Sequence, residues 1–360
     1  MNVSAFDYIL PEERIARFPS QRRDECKLLV YRRNTGEISH ARFDDLPDIL
    51  NHKYNFFRNN AAVLKARIFA KKATGAAVEC LLLTPSDNEN LWNCMLKPAR
   101  RLDVGTHFGV DGIFDAEVVS KDTEGGAVVK FDVFDGSSVI AMSERIGVVP
   151  LPPYIARNQK SPDYNRDFDN ERYETVYANP DKRVAAAAPT AGLHFTPELN
   201  NKLISNGHTF FDLTLHVGLG TFRPIKVDKI EDHSMHSEIY EIPSETLTAM
   251  ADTSKLRLAV GTTSLRAMED YCRKFGVPQS PSSKSATDAA SLFVYPPQKL
   301  ISADAMITNF HLPRSTLMCL VSAFIAPESL DGIRILLDLY KIALEKEYGF
   351  YSYGDAMLIL

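Results

Sequence analysis

Long apolar runs are missing from this sequence of 360 residues. The most apolar stretches, residues 317–326 and 357–360, are much shorter than the roughly 20 residues that a helix needs to span a bilayer. The first residues contain no basic stretch followed by an apolar one, which is the pattern of a secretory signal. These absences predict a cytoplasmic protein without a membrane span, and the length of the chain favours two domains.

Paired cysteines are also missing. The five cysteines are odd in number and widely spaced, with no Cys-x-x-Cys pair and no histidine at metal-ligand spacing from any of them. Such cysteines are typical of reduced thiols with a structural role. His233 and His236 are three residues apart and would share one face of a helix, but they match no established ligand spacing. We therefore expect no zinc site and no other metal site.

An excess of positive charge is missing as well, because 41 basic residues stand against 46 acidic ones and the net charge is −5. Binding to nucleic-acid phosphates normally requires clustered Lys and Arg, so the total charge argues against an RNA partner. Two local clusters of basic residues could still face RNA phosphates, although a solvated surface would explain each of them. They are Arg14, Arg17, Arg22 and Arg23 in the first, and Lys97, Arg100 and Arg101 in the second.

Several motifs of common enzyme classes are absent. The sequence has no P-loop and no Gly-x-Ser-x-Gly elbow. Gly218 and Gly220 match part of a dinucleotide fingerprint, but no third glycine follows at the required spacing. The sequence therefore disfavours a Rossmann cofactor site and a serine nucleophile of the hydrolase type.

Residues 66–148 differ in character from the rest of the chain. Short β-prone runs alternate there with Gly, Asp and Asn turns, as in a small antiparallel barrel or sandwich. These runs are residues 78–83, 116–119, 127–134 and 138–142. The proline-rich segment 150–154 then excludes a regular helix. We predict an antiparallel β-barrel domain at 68–147, inserted into a large mixed α/β domain formed by 1–67 and 148–360.

Local signals in the large domain predict individual elements. A threonine N-cap, a proline at the first position and an acidic first turn indicate a helix over residues 197–205. Residues 209–217 and 256–260 have the pattern of strands. The Gly-Thr-Thr-Ser segment 261–264 predicts a turn into a helix at 265–275, and such a turn offers backbone N–H groups to an anion or a polar ligand.

Four segments combine glycine, hydroxyl groups and histidine in a way that a packed core does not require. Taken singly, a histidine beside aromatic residues is more often structural than catalytic. Five of the nine histidines lie in these segments, however, and histidine is the side chain best suited to proton exchange near neutral pH. The segments are residues 188–195, 215–222, 233–238 and 307–317, and their histidines are His194, His216, His233, His236 and His311.

Together with further stretches, these segments resemble the S-adenosylmethionine:tRNA ribosyltransferase-isomerase family and stand in that family's order along the chain. The further stretches are residues 6–13, 150–155, 171–177, 260–266 and 351–357. The two most specific motifs, Leu-His-Val-Gly-Leu-Gly-Thr-Phe at 215–222 and Thr-Asn-Phe-His-Leu-Pro at 308–313, are both intact. The resemblance therefore extends over almost the whole sequence.

The resemblance implies a large mixed α/β domain with an inserted β-barrel, and a monomeric, metal-free enzyme. Its substrate would be tRNA that carries 7-aminomethyl-7-deazaguanine at the wobble position. S-adenosylmethionine would be consumed as a ribosyl donor and not as a methyl donor. The products would be epoxyqueuosine tRNA, adenine and methionine.

The implied chemistry requires at least one base and one acid. The aminomethyl group must be neutral to attack, the carbon beside the sulfonium must lose a proton, and adenine must leave. We assign His216 and Glu238 as the first candidates for proton transfer, followed by His236 and His311. Hydroxyl groups, an amide, a histidine and two glycine turns are assigned to the cofactor: Thr190, Gly192, His194, Gly218, Thr262, Thr263 and Asn309.

Some segments depart from the family pattern. Where the family has Asn-Asp-Thr and a basic residue before Val-Ile-Pro-Ala-Arg, residues 59–67 read Asn-Asn-Ala-Ala-Val-Leu-Lys-Ala-Arg, so a carboxylate, a hydroxyl, a positive charge and a proline are missing. The family's glycine-basic pair is replaced by Ala76 and Ala77, and its Gly-Ser-Val by residues 184–186. Its Thr-Asp before the Phe-x-Tyr-Pro segment is replaced by residues 290–291, unless residues 287–288 are that pair displaced by an insertion. Each lost charge-assisted hydrogen bond would cost about 1.5–3 kcal/mol if it once held a ligand.

Two alternatives to the ribosyltransferase-isomerase therefore stay open. The first is a non-catalytic or weakly active relative that keeps the fold and binds RNA. The second is an S-adenosylmethionine enzyme of another kind, such as a methyltransferase, although no glycine-rich loop follows an early strand, as that class would require.

Overall fold

The computed structural model describes residues 1–86, 88–122, 126–155, 165–218 and 225–360. Its strands are β1 (Lys27–Arg32), β2 (Glu37–Arg42), β3 (Tyr54–Asn59), β4 (Ala61–Val63), β5 (Arg67–Lys71), β6 (Ala77–Pro85), β7 (Leu91–Lys97), β8 (His107–Val110), β9 (Phe114–Lys121), β10 (Gly126–Val133), β11 (Asn179–Ala185), β12 (Thr209–Leu215), β13 (Glu238–Ile242), β14 (Leu256–Val260), β15 (Ala286–Ala290), β16 (Ala305–Asn309) and β17 (Ala356–Ile359). Its α-helices are α1 (Leu46–Ile49), α2 (Val139–Ile146), α3 (Arg166–Arg172), α4 (Pro197–Ser205), α5 (Ser244–Ala251), α6 (Gly261–Phe275), α7 (Thr316–Ile325) and α8 (Asp331–Glu345). A 3-10 helix, Thr190–His194, precedes α4.

A large mixed sheet forms the centre of the protein, with the strand order β15-β13-β12-β3-β14-β16-β17-β1-β2. The four strands β12, β3, β14 and β16 run parallel to one another. Antiparallel strands continue the sheet on both sides, with β13 beside β12 and β17 beside β16. The carboxyl ends of the four parallel strands therefore lie along one edge of the sheet.

Helices cover both faces of this sheet. Successive side chains of a strand point to opposite faces, and β14 shows the alternation clearly. Leu258 and Val260 belong to a core shared with Leu199 and Leu203 of α4, whereas Ala259 belongs to the core on the other face. That second core also contains apolar side chains of α5, α6, α7 and α8. The predicted mixed α/β class is confirmed.

The inserted barrel is also confirmed. Strands β5 to β10 form a closed antiparallel barrel in the order β10-β7-β6-β5-β8-β9, and β9 pairs with β10 to close it. Its interior is a separate hydrophobic core, to which the large sheet contributes no residue. Alternating burial along β7 and β10 is the pattern expected of barrel strands that face a core on one side and solvent on the other.

The predicted domain boundaries at 67/68 and 147/148 remain a proposal. Arg67 and Val148 support it, because they form an isolated antiparallel bridge with N···O distances of 3.1 and 3.0 Å. The chain thus enters and leaves the barrel at adjacent positions, as an inserted domain requires.

Two local predictions are wrong in an instructive way. Residues 138–142 do not form a strand but begin α2, because Ser138 is an N-cap whose hydroxyl accepts a hydrogen bond from the backbone of Ala141 at 3.2 Å. Residues 261–264 do not form a separate turn but are the first turn of α6. The helix at Pro197–Ser205 and the strand at Leu256–Val260 have the predicted bounds, and β12 ends two residues before the predicted Val217.

Within the described ranges, no helix is both long and apolar enough to cross a membrane. All five cysteines are buried free thiols.

Candidate active site

The motif segments singled out in the sequence follow the carboxyl ends of the parallel strands. Residues 216–218 follow β12, residues 261–263 follow β14, and residues 310–311 follow β16. β13 starts at the same edge with Glu238, because it runs antiparallel to β12 and Tyr240 pairs with Leu215. Open α/β sheets bind their ligands at the carboxyl ends of the strands, so this edge is the expected place for a site.

A cleft opens at this edge of the sheet. Five of the residues assigned from the sequence line it: Thr190, Thr262, Thr263, Asn309 and His311. Tyr154, Tyr351 and Ser352, which contact one another, form a further wall of the cleft. The described lining contains hydroxyl groups, an amide, an imidazole and aromatic rings, but no Asp, Glu, Lys or Arg side chain.

Asn309, the last residue of β16, is the centre of a hydrogen-bond network beneath the cleft. Its side-chain carbonyl accepts a bond from the Thr190 hydroxyl at 2.9 Å. Its amide group donates to His194 Nε2 at 3.0 Å and to the carbonyl oxygen of Tyr351 at 3.2 Å. Both amide N–H donors and one lone pair of the side-chain carbonyl are thus used, and they join β16 to the 3-10 helix Thr190–His194 and to Tyr351.

His194 lies behind Asn309 and outside the lining of the cleft. Because Asn309 donates to Nε2, the proton of the neutral ring is on Nδ1, which donates to the sulfur of Cys26 at 3.2 Å. Burial, with a smaller contribution from the charge of Arg23, lowers the pKa of His194 to about 4. The ring therefore stays neutral near pH 7 and positions Asn309.

His311 does line the cleft, and it is also neutral. Its Nε2 bonds to the Thr308 hydroxyl at 2.8 Å, while its backbone N–H donates to the hydroxyl of Tyr340 at 2.8 Å. The Tyr8 hydroxyl donates to its carbonyl oxygen at 2.5 Å. Burial lowers the pKa of His311 to about 3, so this imidazole can accept or donate hydrogen bonds without carrying a charge.

These two buried histidines predict a loss of stability in mild acid. Below their ordinary pKa of about 6.5 they gain protons in the unfolded chain, whereas in the folded chain they stay neutral down to about 4 and about 3. The unfolded state therefore binds more protons in this window, and the free energy of unfolding decreases as the pH falls. The expected slope is roughly 1.4 kcal/mol per pH unit for each histidine.

Urea unfolding at pH 7.5 and pH 5.0 measures this loss, and His194→Gln should reduce the difference between the two midpoints. The exposed His52 provides the matched control, because His52→Gln should leave the difference unchanged. If the difference between the two urea midpoints were the same in wild type and in His194→Gln, the buried neutral ring of His194 would not be a cause of the loss of stability in acid.

A second, smaller cavity adjoins the cleft and contains Glu238. Thr262 and Thr263 line both cavities, and Glu238 and Arg266 line the second one only. One carboxylate oxygen of Glu238 accepts a bond from the backbone N–H of Gly218 at 2.8 Å, and the other pairs with the Arg266 guanidinium. Both side chains are more than nine-tenths buried, so Glu238 and Arg266 form a buried ion pair.

Arg266 holds more than this carboxylate. Its guanidinium also donates to the backbone carbonyls of His236 at 2.8 Å, Ala290 at 2.7 Å and Leu292 at 3.2 Å. Burial lowers the pKa of Arg266, and the charge of Glu238 acts in the opposite direction. Helix α6, the start of β13 and the end of β15 are therefore joined at one buried cation.

His216 and His236, which the sequence favoured for proton transfer, do not line either cavity. The backbone N–H of His216 donates to Ile239 and extends the ladder between β12 and β13, while its ring faces Glu241 with Nε2 at 3.4 Å from the carboxylate. Lys182 binds the other oxygen of Glu241 at 2.5 Å, and this bond is the main reason that the pKa of Glu241 is lowered. The side chain of His236 is exposed.

The two predicted glycine positions have different surroundings. A Cβ on Gly192 would lie 1.9 Å from the hydroxyl oxygen of Tyr177, so this glycine allows close packing against that ring. Gly218 is free of such crowding, and its N–H binds Glu238. Gly220, the second glycine of the same motif, lies outside the described residues.

Most of the departures from the family pattern lie away from the cleft. Ala61, Ala62 and Ala185 are buried in the small parallel sheet formed by β4 and β11, and they are not part of the described lining. Ala77 starts β6 in the barrel. Ala290 lies closer to the site, because its carbonyl accepts a hydrogen bond from Arg266.

Sequence reasoning missed Arg266 and the wall formed by Tyr154, Tyr351 and Ser352. Arg266 has a signal, because it stands on the apolar side of a helix, four residues after Thr262. The tyrosines have no local signal, since their place in the wall depends on contacts between distant parts of the chain.

In the described part of the chain, no group of three or more His, Cys, Asp or Glu side chains is placed to hold a metal ion.

Comparison with known proteins gives one consistent family. Residues 3–359 match the family described as queuosine biosynthesis protein. The S-adenosylmethionine:tRNA ribosyltransferase-isomerase of Thermotoga maritima is 40% identical over 363 residues, and that of Staphylococcus epidermidis is 42% identical over 366 residues. Both alignments cover 100% of this chain and 100% of the relative.

A solved structure agrees with these sequences. The crystal structure of S-adenosylmethionine tRNA ribosyltransferase from Thermotoga maritima matches with a TM-score of 0.54 and 31% sequence identity, covering 99% of this chain and 100% of that one. With matches over its full length in both sequence and fold, the chain belongs to the queuosine biosynthesis protein family.

Proposed function

We propose that this protein is an S-adenosylmethionine:tRNA ribosyltransferase-isomerase. It transfers and isomerises the ribosyl part of S-adenosylmethionine onto 7-aminomethyl-7-deazaguanine at the wobble position of tRNA, and releases adenine and methionine. The observation that carries the proposal is the full-length identity of 40% to a relative with this name, combined with a cleft built from the motif segments. Proposed finer properties are a cytoplasmic location, a monomeric state and no requirement for a metal.

The cleft suits a sulfonium nucleoside. The rings of Tyr154 and Tyr351 are 4.6 Å apart, and such faces attract cations and stack on bases. Burial raises the pKa of Tyr154 to about 12, so this hydroxyl keeps its proton and can bond to Ser352 at 2.6 Å. Thr190, Thr262, Thr263 and Asn309 supply neutral hydrogen-bonding groups for the ribose and the methionyl part.

We keep the assignment of proton transfer to His216 and Glu238 first, and to His236 and His311 next. Glu238 is favoured by its place on the wall of the adjoining cavity, and His311 by its neutral ring in the cleft. His216 lies two residues before Gly218, whose N–H binds Glu238, and the backbone carbonyl of His236 accepts a hydrogen bond from Arg266. Gly192 and His194 contribute by packing and by positioning Asn309.

The tRNA would meet the phosphate-binding residues on the barrel side of the protein. Lys97, Arg100 and Arg101 are exposed at the end of β7 and in the short helix after it. Most of the other basic cluster is already engaged: Arg14 binds Glu347, and Arg23 binds the carbonyls of Glu171 and Glu174. The cluster of Lys97, Arg100 and Arg101 is therefore the better candidate for contacts with phosphate.

One assay tests the proposed activity. Purified full-length protein is incubated with S-adenosylmethionine and with tRNA that carries the deazaguanine precursor, and adenine and methionine are measured. We expect both in equal amounts, and neither with the same tRNA carrying unmodified guanine. RNA binding without release would identify a non-catalytic relative, and S-adenosylhomocysteine would identify a methyltransferase.

The same assay tests the proton-transfer residues. His216→Ala and Glu238→Gln should each lower the rate of adenine release by 100-fold or more, on the order of the usual contribution of a general acid or base. If both variants kept nearly normal turnover while the wild type was active, this assignment would be wrong and the proposed reaction would stand.

A further inference from the structure

The amino-terminal end of α6 lines the cleft, and no described residue caps it with a side chain. Gly261 has a φ of +87°, a left-handed conformation that glycine adopts easily, and it lets the helix start directly at the end of β14. The N-cap residue is Val260, with no side-chain cap, and the first turn contains no acidic residue. The first N–H groups of a helix have no acceptor within it, and they carry a partial positive charge.

Two hydroxyl groups beside this helix end lack partners of their own. Thr262 is only 7% exposed, lines both cavities, and forms no side-chain hydrogen bond with any described residue. The Thr263 hydroxyl is buried and also has no partner within the described chain. The neighbouring Ser264 differs, because its hydroxyl donates to the carbonyl of Val260 at 2.8 Å. Buried polar groups in native proteins are normally bonded, so two open hydroxyls at one place indicate a missing ligand.

The electrostatic surroundings favour an anion at this point. The described lining of the cleft contributes no charged side chain. Glu238, the nearest carboxylate in the adjoining cavity, is held by Arg266 and by the N–H of Gly218. An anion at the start of α6 would therefore meet free N–H groups and hydroxyls, and no unpaired negative charge in the lining.

We propose that the first turn of α6, with the hydroxyls of Thr262 and Thr263, binds the α-carboxylate of the methionyl part of S-adenosylmethionine. The inference rests on the proposed function, and it assigns the only anionic group of that cofactor. A phosphate of the tRNA fits the position less well, because a backbone phosphate has a nucleoside on each side and needs an open surface. A terminal carboxylate can enter the cleft and reach the hydroxyl of a residue that is more than nine-tenths buried, as Thr262 is.

Decarboxylated S-adenosylmethionine, which lacks only the carboxylate, provides the test. Dissociation constants of both compounds are measured by calorimetry for wild type, for the double variant Thr262→Val/Thr263→Val, and for Ser264→Ala. We expect wild type to prefer S-adenosylmethionine by roughly ten- to a hundredfold, the effect of losing one or two hydrogen bonds to a charged group. In the double variant the preference should fall at least fivefold, while Ser264→Ala should keep it.

An equal affinity of wild type for the two compounds would overturn the inference, and so would an unchanged preference in the double variant. Either result leaves the proposed function intact if adenine is still released in the presence of the precursor tRNA. Binding of neither compound to wild type would overturn both. The wild-type ratio needs no folded variant, so the inference can be contradicted even if the double substitution destabilises the protein.

Discussion

Replacing Asn309 with alanine should lower the rate of adenine release on the order of 100-fold, with the sheet intact. The substitution leaves the Thr190 hydroxyl, His194 Nε2 and the carbonyl of Tyr351 without their common partner. Those groups fix the relative positions of three segments around the cleft, and small displacements of reacting groups commonly cost about two orders of magnitude in rate. The measurement is single-turnover adenine release, with circular dichroism to verify the fold.

Asn55 provides the matched control for this substitution. It is a buried asparagine of β3 at the opposite edge of the sheet, where its amide bonds to the carbonyl of Ala249 and to Asp252. Asn55→Ala should lower the stability but leave the rate per folded molecule nearly unchanged. Asn309→Asp should lower the rate of adenine release as much as Asn309→Ala, because an ionised carboxylate cannot donate to His194 or to Tyr351. Normal turnover in either Asn309 variant would show that the network does not shape the site.

Replacing Arg266 with glutamine should lower the free energy of unfolding by about 3–5 kcal/mol, the usual cost of leaving one member of a buried ion pair alone. The variant loses the charge beside Glu238 and most of the bonds to the carbonyls of His236, Ala290 and Leu292. Arg266→Lys should recover only part of the loss, because an ammonium group cannot reproduce the planar set of donors. Urea unfolding at pH 7.5 measures both variants.

Two comparisons make this prediction specific. The double variant Arg266→Gln/Glu238→Gln should lose less free energy of unfolding than the two single variants added together, because neither charge is then left buried alone. Arg334→Gln removes an exposed arginine that pairs with Asp338 on α8 and should change stability by less than about 1 kcal/mol. If Arg266→Gln unfolded at the same urea concentration as wild type, the buried ion pair would not contribute to the stability of the fold.

Several elements of the fold could be predicted from the sequence because their signals are local. Thr196 and Pro197 mark the start of α4, and the alternating strands and turns mark the barrel. The same rules failed at Ser138, where a β-prone run follows a serine that caps a helix instead. A short apolar run fits a strand and a helix equally well, and the capping contact decides between them.

The site could be predicted only in part, for a physical reason. Motif segments identify which strand ends are used, but they do not say where each side chain points. The backbone of His216 continues the ladder of β12 and β13, so its ring turns towards Glu241 and not into the cleft. The roles of His194 and Arg266 depend on partners 115 and 28 residues away in the chain, and no local pattern contains that information.

The alanines at 61, 62 and 185 motivated the alternative of an inactive relative. They are fully or almost fully buried in the β4–β11 sheet and do not line the cleft. Together with the complete Asn309 network and the paired Glu238, their position favours an active enzyme.

The fate of labelled S-adenosylmethionine tests directly whether the protein transfers the ribosyl group of this cofactor to tRNA. One sample of the cofactor carries the label in the ribose and a second carries it in the methyl group, and each is incubated with the protein and tRNA that contains 7-aminomethyl-7-deazaguanine. We expect the ribose label to enter the tRNA in a 1:1 ratio to released adenine, and the methyl label to stay with free methionine. Methyl label in the tRNA, or no transfer of the ribose label, would contradict the proposed function.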